Sequence, residues 1–277
     1  ISSNWNSERS QVKKEIRDYN LNFLISWLKK SNIKKILEMN LNNYEIFNGS
    51  KINKEIIAYP KGLVVHWLAG NVPVLIIISL FQGILTKNKN IIKAPESMKK
   101  IIILLLNDIS KMKFKISKKT FTGKQLLESV VVVYIQKNDI EGQRILSEFA
   151  NVRVVWGGKS AVDSIINLPK KFDCDDIILG PRNSLSIVSN DYLKNINSAK
   201  DLAKKITRDV FSFNQLGCNS PHNLYLEKGS IISHKIFIKI LVNFFEIESL
   251  RIKKGNNISN DIFNIVNERI LYSIDKN

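Results

Sequence analysis

The chain has 277 residues, 44% hydrophobic and 24% charged, with 42 Lys+Arg against 25 Asp+Glu for a formal net charge of +17. That length supports one large domain or two smaller ones, each with a sizeable core, and the balance is ordinary for a soluble globular protein. Two cysteines, Cys174 and Cys218, exclude a disulfide scaffold and argue against a zinc site of several thiolates.

The lysines are scattered among abundant Ile and Asn, the pattern of AT-rich codon drift, and no compact Lys/Arg run marks a nucleic-acid arm. No nucleic-acid partner is expected. A basic surface would suit an anionic, phosphate-bearing cosubstrate. The N-terminal ISSNWNSERSQVKKEI is polar and lacks the apolar core of a signal peptide, so a reducing, cytoplasmic setting is expected. Residue 1 is Ile rather than Met, and the chain is expected to be part of a longer product.

In chain order, residues 1–57 read as a polar N-terminal helical layer with apolar spacing at Leu21, Phe23, Leu24 and Trp27. Gly62 to Thr86 has no Lys, Arg, Asp or Glu and is long enough to span a bilayer, but His66, Gly70, Asn71 and Pro73 interrupt it. A strand (Gly62–Leu68), a turn (Ala69–Pro73) and a buried helix (Val74–Leu85) explain the interruption better, so no membrane span is expected. Lys87–Asn90 reads as a polar turn and Ile91–Lys93 as a short strand. Ser97 is expected to cap a helix through Met112. Val130–Gln136 is a β-branched strand, Asp139 caps a helix ending near Ala150, and Val152–Trp156 is another strand. Gly157-Gly158 then leads into a helix from about Lys159. Strands alternating with helices predict βαβ units and a mostly parallel sheet.

The pattern resets near Asp175. Leu185–Val188 and Asn223–Leu226 read as strands, and Ser198 caps an amphipathic helix to about Phe213. Cys218 lies in the loop Asn214–Pro221. The last fifty residues read as helical, with a loop at Lys253–Asn260. The expected domains are 1–57, a dinucleotide-binding domain over 58–174, and a second α/β domain over 175–277.

Some of these residues could carry chemistry. Gly217 permits a sharp turn that would expose the Cys218 thiol and aim its N–H at a bound oxygen. A thiolate is the nucleophile that exchanges most readily with a thioester. Cys174 sits in FDCDD beside acids that disfavour its thiolate. Asn71, at a strand-to-helix turn, can aim an amide at a developing oxyanion, although Asn is also a common turn residue. Lys93 ends a strand, and Trp156-Gly157-Gly158 ends another before a helix, where phosphates meet helix N-termini. A plain αβ turn explains the same residues, since no G-x-G-x-x-G is present. His66 reads as a satisfied core histidine. A Ser/His/Asp order, a Walker loop and HExxH are all missing from the sequence.

Together the blocks HWLAGNVP (66–73), ILTKNKNIIK (84–93), VVWGG (154–158), LGPRNSLSIV (179–188) and DVFSFNQLGCNSP (209–221) resemble the LuxC-type fatty acyl-CoA reductases, a branch of the aldehyde dehydrogenase superfamily. The resemblance covers roughly Tyr59 to Leu226. It implies an aldehyde-dehydrogenase-like α/β fold with a parallel-sheet dinucleotide-binding domain and a catalytic domain. It implies Cys218 as the acyl-accepting nucleophile, Asn71 at the oxyanion site, and Lys93, Gly70, Trp156, Gly157 and Gly158 along the cofactor cleft. It further implies NADPH as reductant, with NADH as the alternative, and a fatty acyl thioester on coenzyme A or a carrier protein as substrate. An acyl-transferring partner protein and a homo-oligomer are expected, and no metal. A short-chain CoA-acylating aldehyde dehydrogenase and a truncated, non-catalytic acyl-CoA- or partner-binding protein are the alternatives.

Two departures stand out. Hydrolytic relatives carry a water-activating Glu where this chain has Ile178, which suits an enzyme that must not hydrolyse its acyl intermediate. Only 59 residues follow Cys218 (277 − 218), so the catalytic domain is expected to be incomplete at its C-terminus.

Overall fold

The computed structural model describes residues 1–7, 12–19, 21–41, 47, 58–180, 182–211 and 217–251. The expected loop at Lys253–Asn260 lies outside them. The chain divides into two units, Ile1–Arg182 and Asn183–Asn277.

The first unit opens with helices α1 (Ser2–Asn6), α2 (Lys13–Asp18), α3 (Asn22–Trp27) and α4 (Lys30–Leu41). Trp5, Ile16, Leu21 and Leu24 are sealed from solvent. Phe23, counted with that apolar stripe, is 57% exposed, because it falls on the outer side of α3. The indole of Trp5 donates to Asp108 at 2.8 Å, which fastens these helices to the body of the unit.

The body alternates strands and helices. β1 (Leu63–Trp67) runs into α5 (Val74–Leu85) and β2 (Lys89–Lys93), then a 3₁₀ turn (Glu96–Met98) and α6 (Lys99–Lys111). A hairpin of β3 (Lys113–Ile116) and β4 (Lys119–Thr122) leads to α7 (Gly123–Leu126) and β5 (Val130–Val133). α8 (Ile140–Phe149), β6 (Val152–Trp156), α9 (Lys159–Ile166) and β7 (Asp175–Leu179) complete it.

Five strands form one sheet in the order β5-β2-β1-β6-β7, and every pairing is parallel. A parallel sheet must be covered on both faces, and β1 and β6 accordingly bury residues of both parities. Val65, Trp67, Val155, Leu146 and Val162 close one face, while Val64, Val152 and Val154 close the other. Each such side chain contributes roughly 1.5–3 kcal/mol by leaving water. The chain moves outward from β1 to β2 and β5, then crosses back to place β6 on the other side of β1. The strand order therefore reverses between β1 and β6. In open α/β sheets, ligands bind outside the carboxyl ends of the strands at that point.

A buried cation ties the β6 end of the unit together. The Arg153 side chain is fully buried, with Nε 2.6 Å and Nη2 2.8 Å from the Asp176 carboxylate. Its Nη1 donates to Ser147 Oγ and to the carbonyls of Ile165 and Leu168, and its Nη2 to the carbonyl of Ile166. At the C-terminal end of α9 the Ile166 carbonyl thereby gains its donor, while the Ile165 carbonyl shares Arg153 with the Leu168 N–H.

Several expected features sit elsewhere. The division between units falls after Arg182 rather than at 174/175, because 175–179 pairs with β6 as the edge strand of the first sheet. β2 begins at Lys89, so Lys89 and Asn90, expected in a turn, are strand residues. Ser97 lies inside the 3₁₀ turn rather than capping α6, and its hydroxyl donates to the Gly70 carbonyl at 2.9 Å. β5 stops at Val133, short of the expected Gln136. Asp139 does cap α8, accepting the Gly142 N–H at 2.9 Å.

The second unit pairs β8 (Ser184–Val188) with β9 (Pro221–Leu226) in parallel, with α10 (Ile196–Phe211) between them in sequence and α11 (His234–Arg251) after. Val188, Leu193, Ala199, Ala203 and Phe237 form its core. Asn195, not Ser198, caps α10, its side chain accepting the Ser198 N–H at 2.9 Å.

Candidate active site

In the first unit the strand register brings the expected cofactor residues to one edge. Trp67 pairs with Lys93 on one side and Val155 on the other. The 68–73 turn, Lys93 and the 156–158 turn therefore all lie at the carboxyl ends of β1, β2 and β6, around the switch point.

The 68–73 turn leaves β1 and enters α5 at Pro73, where a missing N–H costs nothing. Gly70 and Asn71 are exposed. A Cβ on Gly70 would come within 2.9 Å of Ser97 Oγ and 3.3 Å of Pro95 Cβ. The absence of a side chain there lets Ser97 reach the Gly70 carbonyl and hold the turn. Across the switch point, Gly158 is the N-cap residue of α9 and supplies no side-chain cap. A Cβ built on Gly158 meets nothing within 4 Å. The amino end of an eight-residue helix thus opens onto free space at the sheet's carboxyl edge, the arrangement that accepts phosphate. Lys93 is half-buried, and burial lowers its ammonium pKa below the ordinary lysine value. These features fit a phosphate-bearing dinucleotide.

A charged cluster at the ends of β2 and β5 escaped the sequence reading. Lys99 Nζ lies 2.7 Å from Glu96 and 3.9 Å from the centre of the Tyr134 ring. The Lys99 ion pair comes first among the causes that hold the Glu96 carboxyl below its ordinary pKa, with the nearby Tyr134 hydroxyl second. The i,i+3 Glu–Lys spacing just past a strand end was the available signal.

His66 is a core histidine, 1% exposed. Its Nδ1 lies 2.7 Å from Ser79 Oγ and its Nε2 3.1 Å from Asn90 Oδ1. Burial lowers its pKa to about 4, so it is neutral at pH 7.

Cys218 belongs to the second unit and is exposed, in the turn that enters β9. Gly217 before it is buried. The turn is closed by the Ser220 N–H on the Gly217 carbonyl at 3.0 Å. Ser184 Oγ, on β8, donates to the Cys218 carbonyl at 2.6 Å. The backbone is thus pinned on both sides of the cysteine while its thiol faces solvent. Residues 214–216 of the expected loop lie outside the described residues. Cys174 contrasts on each count. It is 4% exposed, packed in the core beside Val155 and Leu146, and burial raises its pKa above the ordinary thiol value. Among the described residues no His/Cys/Asp/Glu cluster could hold a metal ion, and no helix is long and apolar enough to cross a membrane.

Residues 6–251 match the family described as acyl-CoA reductase (LuxC). The chain is 31% identical over 175 residues to a long-chain acyl-protein thioester reductase of Photorhabdus luminescens, a match covering 61% of this chain and 33% of that protein. It is 30% identical over 170 residues to a reductase of the same description from Aliivibrio fischeri, covering 61% and 32%. The matched stretch is thus about a third of the length of these relatives. Among solved structures, a lactaldehyde dehydrogenase covers 86% of this chain and 43% of its own, with a TM-score of 0.52 at 15% identity. That likeness shows the fold, which is of the aldehyde dehydrogenase kind.

Proposed function

Because this chain belongs to the acyl-CoA reductase (LuxC) family, we propose that it takes part in reducing a fatty acyl thioester to the aldehyde through an acyl-cysteine. The relatives are named for long-chain acyl-protein thioesters, so a long-chain acyl group on a carrier protein or coenzyme A is the substrate. The observation that carries the reading is Cys218. It is an exposed thiol on a pinned turn, while the chain's other cysteine is buried.

In this reading the Cys218 thiolate attacks the thioester carbonyl. The Cys218–acyl bond forms, the bond to the donor sulfur breaks, and the donor departs as a thiolate that takes up a proton. Negative charge builds on the carbonyl oxygen during the attack. The Asn71 amide and the Cys218 backbone N–H are the donors assigned to it, each typically worth about 2.7–4 kcal/mol of barrier. When bound, a reduced nicotinamide dinucleotide, NADPH in our reading, would supply the hydride that takes the acyl carbon to the aldehyde level. Lys93, Gly70, Trp156, Gly157 and Gly158 would hold that dinucleotide: Lys93 by its charge, Gly158 by the open space at the amino end of α9, Gly157 by the turn leading into it, Gly70 by letting Ser97 hold the 68–73 turn, and Trp156 as a cleft wall. Collapse of the resulting thiohemiacetal breaks the carbon–sulfur bond and returns the Cys218 thiolate. At position 178 the chain carries Ile rather than a carboxylate, so no base stands there to activate water against the acyl-enzyme. An acyl-transferring partner protein, self-association and a cytoplasmic location complete the proposal.

The test is acylation with a labelled long-chain acyl-CoA. Cys218→Ser should abolish accumulation of label on the chain, and labelling equal to the wild type would remove Cys218 from the role. Asn71→Ala should slow acylation by about 10²–10³-fold, the effect of losing one oxyanion donor. An unchanged rate would remove Asn71.

A further inference from the structure

A buried chain of hydrogen bonds, unused by the proposed chemistry, joins the strands and helix that border the switch point. The indole N–H of Trp156 donates to Ser79 Oγ over 3.2 Å. Ser79 Oγ lies 2.7 Å from His66 Nδ1, and His66 Nε2 lies 3.1 Å from Asn90 Oδ1. The Asn90 amide N–H donates to the Asn88 carbonyl at 2.8 Å. The Asn90 end sets the direction of the whole chain. Its nitrogen is engaged as a donor, so its oxygen accepts, and His66 carries its proton on Nε2. His66 Nδ1 is then an acceptor. The Ser79 hydroxyl donates to it and keeps its lone pairs for Trp156.

Ser79, His66 and Asn90 are each 1% exposed, so water cannot replace a missing partner. The backbone makes room for the arrangement. A Cβ on Gly83 would lie 1.9 Å from Asn90 Oδ1, so only glycine lets that amide reach His66. The neutral state of His66 keeps Nδ1 an acceptor at pH 7. A side chain at the ligand-facing end of β6 is thereby oriented by three residues from α5, β1 and β2.

We infer that Ser79 is a positioning residue that fixes the Trp156 indole as a wall of the dinucleotide cleft, and so sets cofactor affinity without touching the cofactor. The inference rests on the reading that the 156–158 turn holds a nicotinamide dinucleotide. With the Ser79 oxygen removed, the indole loses its anchor and must be ordered again on binding. The loss of one neutral hydrogen bond corresponds to roughly three- to tenfold in affinity.

The experiment is a double-mutant cycle on the full chain, with NADPH and NADH titrated separately against the wild type, Ser79→Ala, Trp156→Phe and the double variant. Tryptophan emission is recorded without ligand. Ser79→Ala should weaken dinucleotide binding about three- to tenfold and shift the emission. In the Trp156→Phe background the same serine change should alter neither, because the residue it acts through is gone. Additive effects in the cycle would overturn the inference, since Ser79 would then act by another route. So would a Ser79→Ala variant with wild-type affinity and emission. A wild type that binds neither dinucleotide would sink the cofactor reading and the affinity role with it. The emission cycle would still report whether Ser79 holds the ring. Should Ser79→Ala fail to fold, Ser79→Cys keeps a similar shape but offers the indole a weaker acceptor, and it should weaken dinucleotide binding by a smaller factor, under about tenfold, and shift the emission, with neither effect in the Trp156→Phe background. Equality of Ser79→Cys with the wild type in both readouts would count against the inference.

Discussion

Replacing Asp176 by Asn tests whether the buried Arg153 clamp stabilises the first unit as its geometry requires. The guanidinium is fully buried, and its charge is answered by a carboxylate that is 20% exposed at 2.6 and 2.8 Å. Asp176→Asn removes that charge and leaves the cation among a serine hydroxyl and three carbonyls. Breaking a buried pair from one side costs about 3–5 kcal/mol. For a unit of this size, about 2–4 °C is lost per kcal/mol, so the midpoint should fall by roughly 6–20 °C. Arg153→Met should cost a comparable amount for a different reason. Asp176 keeps Lys170 at 2.8 Å, and the Ile165 carbonyl keeps the Leu168 N–H, but the carbonyls of Ile166 and Leu168 lose their donor, at about 1–3 kcal/mol for each that water cannot reach. The double variant should be no less stable than Arg153→Met alone. The assay is urea and thermal unfolding followed by circular dichroism. The Arg153 bonds come first among the causes that hold the Asp176 carboxyl below its ordinary pKa. Its folded value therefore lies below the unfolded one, so the pair stabilises fully above about pH 4 and loses its effect as pH falls through the folded value. That component of acid lability should be missing from Asp176→Asn. A cost under about 1 kcal/mol for Asp176→Asn, or costs that simply add in the double variant, would refute the reasoning.

Under native conditions, limiting iodoacetamide should alkylate exposed Cys218 well before buried Cys174, and peptide mass spectrometry showing the opposite order would contradict the placement of both thiols. Gly123→Ala should cost about 3 kcal/mol, the upper end for overpacking, because its Cβ would lie 1.7 Å from the Ile109 carbonyl oxygen; unchanged urea unfolding would show that the backbone yields. His66 has a folded pKa of about 4 against an ordinary 6.5, so the unfolded chain takes up the proton first as pH falls between those values. Stability should drop across that window by up to about 3 kcal/mol, and His66→Gln should show a shallower drop in pH-dependent unfolding.

The parallel sheet was legible because β1, β5 and β6 are Val-rich runs, β1 and β6 ending in Trp and β5 followed by Tyr134. What the sequence hid were polar residues whose partners come from other elements. Asn90 looked like turn material, since nothing local reveals that His66 and the bare backbone of Gly83 give its amide a buried place. Ser97 looked like a helix cap, since its true acceptor, the Gly70 carbonyl, lies 27 residues away. The β3–β4 hairpin escaped because its bend places Ser117 at φ 54° without a Gly or Asn to announce it. The first sheet was cut short at Asp175 because Ile177 and Ile178 are 48% and 45% exposed, and an edge strand of that kind reads equally well as the start of a new domain. Of the candidate site, the carboxyl-edge turns could be placed from strand ends alone. The Glu96–Lys99–Tyr134 cluster needed the β2–β5 pairing to be seen.

The crossing from β5 back to β6 also has a consequence for biosynthesis. Val64 of β1 pairs with Val152 of β6, 88 residues later (152 − 64). A ribosome adding about 5–20 residues per second takes roughly 4–18 s to deliver that partner. For that time one hydrogen-bonding edge of Leu-Val-Val-His-Trp has no cognate strand, although β2 can already occupy the other. The nascent chain therefore passes through a stage in which its central strand is half-zipped and apolar. During that stage its exposed apolar edge is open to misassembly.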